Sequence, residues 1–219
     1  VDLIRRKLDR QAFALTFPLL TTHDGQKFGK SVKGAVWLDA AQTSVWDFYQ
    51  FWLNADDQDV IRLLKLFTFV SRPEIEEYAV EVETAPQRRL AQRRLAFEMT
   101  KLIHGEDAAG RAVAAARVLF EKAEPAMLSA TAWEDLLRSV PNLKLAALSD
   151  APALAALLVA VGLEVSNSRA LDSIRAGGVS INNVKVSDSR LVLSEAHLLQ
   201  GRYALIRKGK KHFAIVAVG

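Results

Sequence analysis

Cysteine is missing from this chain altogether. Its absence excludes a disulfide framework, a thiolate metal site and a cysteine nucleophile. Histidine is nearly as scarce, with four scattered residues, so zinc chemistry is not expected and no metal-ligating set is assigned. No apolar run approaches the ~20 residues that would span a bilayer. The first residues have neither the apolar core nor the cleavage pattern of a secretory signal. A membrane partner is therefore not expected, and the expected compartment is the cytoplasm, or an organellar matrix after import. Internal repeats and low-complexity tracts are also lacking. The chain opens on Val1 rather than methionine, and Val1-Asp2-Leu3-Ile4-Arg5-Arg6 reads as a helix already under way, so the expectation is that something precedes it.

What is present is a core-forming composition. Of 219 residues, 50% are hydrophobic and 25% charged, which fits one large globular domain or two modest ones. The net charge of +4 is unevenly placed: before Asp150 acidic and basic residues cancel, and the whole excess falls after it. A compact basic module at one end is the electrostatic footprint expected for a phosphate-rich partner.

Along the chain, Phe13 to Leu20 has strand-like stretches, Thr21 to Gly25 gives a turn, and Gln26-Lys27-Phe28-Gly29-Lys30-Ser31 follows as a loop with two lysines around a glycine. Residues 43–140 read as successive helices. Ser44 caps the aromatic run Val45 to Leu53, Asp57 to Phe69 carries apolar residues at helical spacing, and Ser71-Arg72-Pro73-Glu74 is a helix-start box. Leu95, Met99 and Leu102 repeat down to His104-Gly105, and Thr131-Ala132-Trp133-Glu134 reads as a second box. Pro141 to Pro152 reads as a linker. Beyond it come short helices over Leu154–Val161 and Ser166–Ile174, a hairpin turning at Asn182-Asn183, and a second strand pair, Tyr203–Ile206 with Phe213–Val216.

Trp46, Phe48, Tyr49, Phe51 and Trp52 lie on every side of one helix, which marks them as core rather than a base-stacking surface. His104, before Gly105, is expected to interact with the exposed carbonyls of a helix end. Arg207, Lys208, Lys210 and Lys211 are expected at a turn, splayed toward phosphates, with Arg169 and Arg175 contributing from the Ser166 helix; such contacts position RNA rather than read it.

Lys27-Phe28-Gly29-Lys30-Ser31 followed by Gly34-Ala35-Val36-Trp37-Leu38-Asp39 resembles the second class I synthetase signature in its tyrosyl form. Thr43-Ser44, Phe48-Tyr49-Gln50-Phe51-Trp52, Ala85-Pro86, Ala91-Gln92 and Thr100 to Gly105 continue the match in order, and Ala151 to Gly219 is similar to an S4-type RNA-binding domain. The sequence thus resembles the C-terminal part of the bacterial-type tyrosyl-tRNA synthetases over essentially its whole length.

The resemblance implies an α/β remnant of a class I catalytic domain (1–38), an all-α helical anticodon-side domain (39–145) and a small α+β S4-like domain (150–219). It implies a ligase that uses ATP, with Mg2+ accompanying the nucleotide, to activate tyrosine and transfer it to tRNA(Tyr). Lys27, Phe28, Gly29, Lys30 and Ser31 would bind ATP. Lys27, Lys30 and Ser31 would serve catalysis by stabilising the pentacoordinate phosphorus electrostatically. The complete enzyme would be a homodimer. Two departures stand out. The family's His-x-Gly-His element is absent, since no two of His23, His104, His197 and His212 are close enough to form it, so this chain alone is not expected to make adenylate. Asn167 is neutral where family members often carry a basic residue. The rival reading is a non-catalytic structured-RNA-binding protein or splicing cofactor built from the same domains.

Overall fold

The computed structural model describes residues 1–28, 30–31, 34–209 and 211–219, with 30, 31 and 34 described as backbone only. The chain divides into two compact units, Val1–Val36 and Trp37–Gly219.

In the first unit, α1 (Asp2–Leu8) buries no residue. Two strands of two residues each, β1 (Lys30–Ser31) and β2 (Gly34–Ala35), pair antiparallel. The strand-like reading of Phe13 to Leu20 is not realised. That segment has no regular structure, and Phe13, Leu15 and Phe17 are more than four-fifths exposed. Alternating apolar residues become a strand only when a neighbour supplies the hydrogen-bond ladder, and no described strand of this unit pairs with them. The α/β character expected here is therefore not expressed as a parallel sheet among the described residues.

The second unit begins with a bundle of α2 (Val45–Leu53), α3 (Asp57–Phe67), α4 (Arg72–Thr84), α5 (Leu90–His104), α6 (Glu106–Glu121) and α7 (Ala130–Leu137). Phe48, Leu64, Leu95, Leu119, Trp133 and Leu136 are among its largest fully buried side chains, and the aromatic residues of α2 are core as expected, with only Phe51 half-exposed. Ser44 caps α2 by accepting from Asp47 N. Its hydroxyl and that of Ser139 share the Asp47 carboxylate, tying the start of α2 to the end of α7. Ser71 caps α4 by accepting from Glu74 N, with proline in the first turn. The box expected at Thr131 to Glu134 is displaced. Ser129 is the cap, accepting from Ala132 N, so Thr131 lies inside the helix. On α5, Leu95 and Met99 face the core but Leu102 is exposed.

A five-stranded sheet follows, in the order β3-β7-β6-β4-β5. Its strands are β3 (Asn142–Leu145), β4 (Val179–Ile181), β5 (Val184–Val186), β6 (Tyr203–Lys208) and β7 (His212–Val218). β3 runs parallel to β7 and the other pairings are antiparallel. The segment expected to be a linker therefore supplies an edge strand, with Leu143 opposite Val216. The β4–β5 hairpin turns where expected, on Asn182 and Asn183, both in the left-handed region, as a two-residue turn matched to strand twist requires.

The two faces of the sheet bury different things. Ala204, Ile206, Ala214 and Val216 pack with α8 (Leu154–Ala160) and α9 (Asn167–Arg175) in one core. The alternate residues of β6 and β7 turn the other way and meet the bundle: Tyr203 stacks on Trp133 with ring centroids 5.4 Å apart, and Phe213 meets Phe120 edge-on at 5.9 Å.

Candidate functional site

The lysine loop is entered through a tight turn. Thr22 N donates to Gln26 O at 2.8 Å, Gly25 N to Thr22 O at 2.9 Å, and Phe28 N to Leu20 O at 3.1 Å. Gly25 sits at φ +82, a conformation glycine adopts without steric cost. The Asp24 carboxylate collects the Thr22 hydroxyl and the Gln26 side-chain amide. The Thr22 bond in particular holds its pKa below the ordinary value. Lys27 is exposed and Phe28 half-buried at the end of this turn. Lys30 and Ser31 are paired by backbone with Ala35 and Gly34. Their side chains and the whole of Gly29 lie outside the described residues, so their roles stand as sequence expectations.

The six cations expected to meet RNA divide sharply. Arg169 and Arg175 are exposed on α9, and Lys211 is exposed at the start of β7. The end of α9 and the β6–β7 turn are held together by Gly209 N donating to Gly178 O at 2.8 Å, and Gly178 N to Ser173 O at 2.9 Å. Lys208 is half-buried. Its Nζ donates to Glu164 Oε1 at 2.8 Å and to Leu163 O at 3.0 Å. Glu164, itself buried, also accepts from the Ser173 hydroxyl. The Lys208 bond, then that from Ser173, holds the Glu164 carboxyl below its ordinary pKa, with the Arg169 charge adding to the effect. Lys210 lies outside the described residues.

Arg207 is a correction. It is 3% exposed, not splayed at a turn. β6 runs two residues further than the apolar pattern suggested, and alternation puts Arg207 on the same face as Tyr203 and Leu205, against the bundle. Its guanidinium donates to Leu119 O at 2.7 Å and Val118 O at 2.9 Å, near the C-terminal end of α6. A cation suits the negative end of a helix dipole, and burial pushes this guanidinium's pKa down. Such a group has no freedom to reach a phosphate. Around it, Gln200 Nε2 donates to Leu128 O at 2.6 Å, Asn183 Nδ2 to Ala123 O at 3.0 Å, and the Tyr203 hydroxyl to Glu134 Oε1 at 2.8 Å. His104 is the last residue of α5, the helix end where it was expected; its ring packs edge-on against Phe48 at 4.8 Å, and burial lowers its pKa.

Residues 1–121 match the family model of class I tRNA synthetases (W and Y). The chain belongs to that family. Residues 133–216 match a second model, the tyrosine--tRNA ligase SYY-like C-terminal domain. Among curated relatives, a tyrosine--tRNA ligase of Geobacillus kaustophilus is 42% identical over 217 residues, covering 99% of this chain and 51% of that protein. One of Streptomyces griseus is 44% identical over 220 residues, covering 100% of this chain and 51% of that protein. The chain thus spans about half the length of the curated relatives it matches. A crystal structure of a C-terminally truncated Coccidioides posadasii mitochondrial tyrosyl-tRNA synthetase is 44% identical, covers 46% of this chain and 26% of that one, and has a TM-score of 0.40.

In this class I synthetase chain the contacts that sequence reasoning missed are those that join parts. Glu164, Ser173 and Lys208 lock α9 to the sheet, while Glu134 receives both Tyr203 and Arg202, the latter at 3.1 Å. A signal for Arg207 was present in the alternation Tyr203, Leu205, Arg207. Nothing in the sequence paired Glu164 with a lysine so far along the chain.

Proposed function

We propose that this chain works as part of a tyrosine–tRNA ligase. The tyrosine carboxylate attacks the α-phosphorus of ATP, pyrophosphate leaves, and a terminal ribose hydroxyl of tRNA(Tyr) then takes the tyrosyl group and releases AMP. The match of residues 133–216 to a domain model specific for tyrosine--tRNA ligases carries the reading, together with the lysine loop. Lys27 and Lys30 supply ammonium charge and Ser31 a hydroxyl donor where negative charge grows on the phosphates. Mg2+ would accompany the nucleotide's phosphates, as is usual for phosphate chemistry. Of the six cations expected to meet RNA, Arg169, Arg175 and Lys211 are exposed and would hold the RNA backbone. The complete enzyme acts as a homodimer in the cytoplasm or an organellar matrix.

The test is tyrosine-dependent exchange of pyrophosphate into ATP by the full-length enzyme. Lys30→Ala should slow it by about 10²–10³ with an unchanged circular-dichroism spectrum. An exchange rate equal to the wild type would remove the loop from the mechanism.

A further inference from the structure

Residues 20–28 form a hairpin that ends where the lysine loop begins. Thr21 and Lys27 face each other as an antiparallel bridge. Phe28 N donates to Leu20 O on one side of that bridge, and Thr22 N to Gln26 O on the other. The backbone of Lys27 is thereby held in one register while its side chain stays exposed. Three residues on, Lys30 is paired by backbone with Ala35, so the loop between the two lysines is gripped at both ends.

Apolar packing gives this hairpin little support. None of the described residues up to Phe28 is buried, and a lone two-stranded hairpin is marginal in water. What spans its two arms is one carboxylate. Asp24 Oδ1 accepts from the Thr22 hydroxyl and, at 3.4 Å, from Gln26 N, while Oδ2 accepts from Gln26 Nε2 at 2.8 Å. The Thr22 hydroxyl also lies 3.1 Å from Gln26 O. Residues 22 and 26 are therefore tied together immediately beside the bridge that fixes Lys27. An ionised acceptor makes such bonds stronger than neutral ones.

We propose that Asp24 is a positioning residue for the activation step, acting through Thr22 and Gln26 to set Lys27 in place before ATP arrives. The proposal rests on the reading of this chain as part of a tyrosine–tRNA ligase. Asp24 is itself negative, so it does not serve the phosphates by contact; its effect passes through the lysine. An ammonium group carried on a loose arm must be ordered as the transition state forms, and that ordering cost is subtracted from the charge stabilisation it gives. A clasped arm has met the cost on folding.

The full-length enzyme is assayed in two half-reactions. One is tyrosine-dependent exchange of pyrophosphate into ATP. The other is transfer of tyrosine from preformed enzyme-bound adenylate to tRNA(Tyr), a step that pyrophosphate has already left. Asp24→Asn replaces an acceptor oxygen with a donor and should slow exchange about tenfold or more, through kcat, with KM for tyrosine and the transfer rate unchanged. Thr22→Val, which lacks the hydroxyl, should behave likewise, whereas Thr22→Ser, which keeps it, should exchange like the wild type. Added to Lys27→Ala, Asp24→Asn should cost almost nothing further, because the group it positions is gone. A merely structural role would slow both half-reactions and would add to the Lys27→Ala loss; either result would overturn the proposal. So would an Asp24→Asn enzyme that exchanges at the wild-type rate. A wild type that exchanges no pyrophosphate would instead sink the ligase reading, and this proposal with it.

Discussion

Glu164 is a carboxylate shut away from solvent in a module whose surface is basic. It keeps its charge because Lys208 Nζ lies 2.8 Å away and Ser173 donates a second bond. Its folded pKa is depressed, so its stabilisation is fully present above the ordinary glutamate value and is lost as pH falls through the lower folded value. Glu164→Gln should therefore cost about 1–2 kcal/mol at neutral pH, and the gap from wild type should close in acid. Urea midpoints of both proteins between pH 7 and pH 3 check this, and a gap constant across that range would show that the ionised carboxylate does not act as described. The sequence showed Lys208 as a cation and Glu164 as an acid; what it withheld was their meeting. Arg207 teaches the same lesson from the other side. A basic run beside a glycine reads as a solvated turn, but strand alternation decides which of its members face inward, and the strand's end is the feature that pattern locates least well.

At the scale of elements, capping chemistry was the most legible signal. Ser44 and Ser71 start their helices as their positions suggest, because a hydroxyl oxygen takes up a backbone N–H that the first turn leaves unpaired. The start of α7 separates a pattern from its physics. Thr131 and Glu134 have the spacing of a box, yet Ser129 accepts from Ala132 N at 3.2 Å and Glu134 turns away to Tyr203. Ser129→Ala should destabilise the protein by about 1 kcal/mol, whereas Thr131→Ala, exposed within the helix, should change stability by no more than about 0.5 kcal/mol. Thermal melts of the two variants decide between the caps, and the reverse ranking would move the helix start back to Thr131. β3 was illegible for a different reason. Asn142-Leu143-Lys144-Leu145 is too short to announce itself, and its partner is the last strand of the chain, joined in parallel across all the intervening structure. Parallel pairing requires a long connection, which local sequence cannot display. The lysine loop was legible as a resemblance, and the roles proposed for Lys30 and Ser31 come from that resemblance alone.

For the whole of residues 37–219, the sheet is the shared wall between two cores. One face packs on α8 and α9. The other holds Tyr203 against Trp133 and sends Arg207 into the end of α6. Peeling the sheet from the bundle would bare Tyr203, Leu205 and Ile215 and orphan the carbonyls of Val118, Leu119, Ala123 and Leu128. Bundle and sheet should accordingly unfold together rather than in sequence. All four tryptophans, Trp37, Trp46, Trp52 and Trp133, precede the sheet, so fluorescence follows the bundle side, while amide exchange in β6 and β7 follows the sheet. The two should report one urea midpoint in the wild type. Arg207→Ala removes two charge-assisted bonds and leaves two buried carbonyls unpaired, partly offset by relief of the guanidinium's desolvation, a net loss of about 2–3 kcal/mol. Because that loss falls on the seam, the sheet amides of the variant should exchange at a lower urea concentration than the one that shifts tryptophan emission. Separate midpoints already present in the wild type would mean that the seam is too weak to couple the two sides. Coincident midpoints in the variant would mean that Tyr203 and its neighbours hold the seam without Arg207.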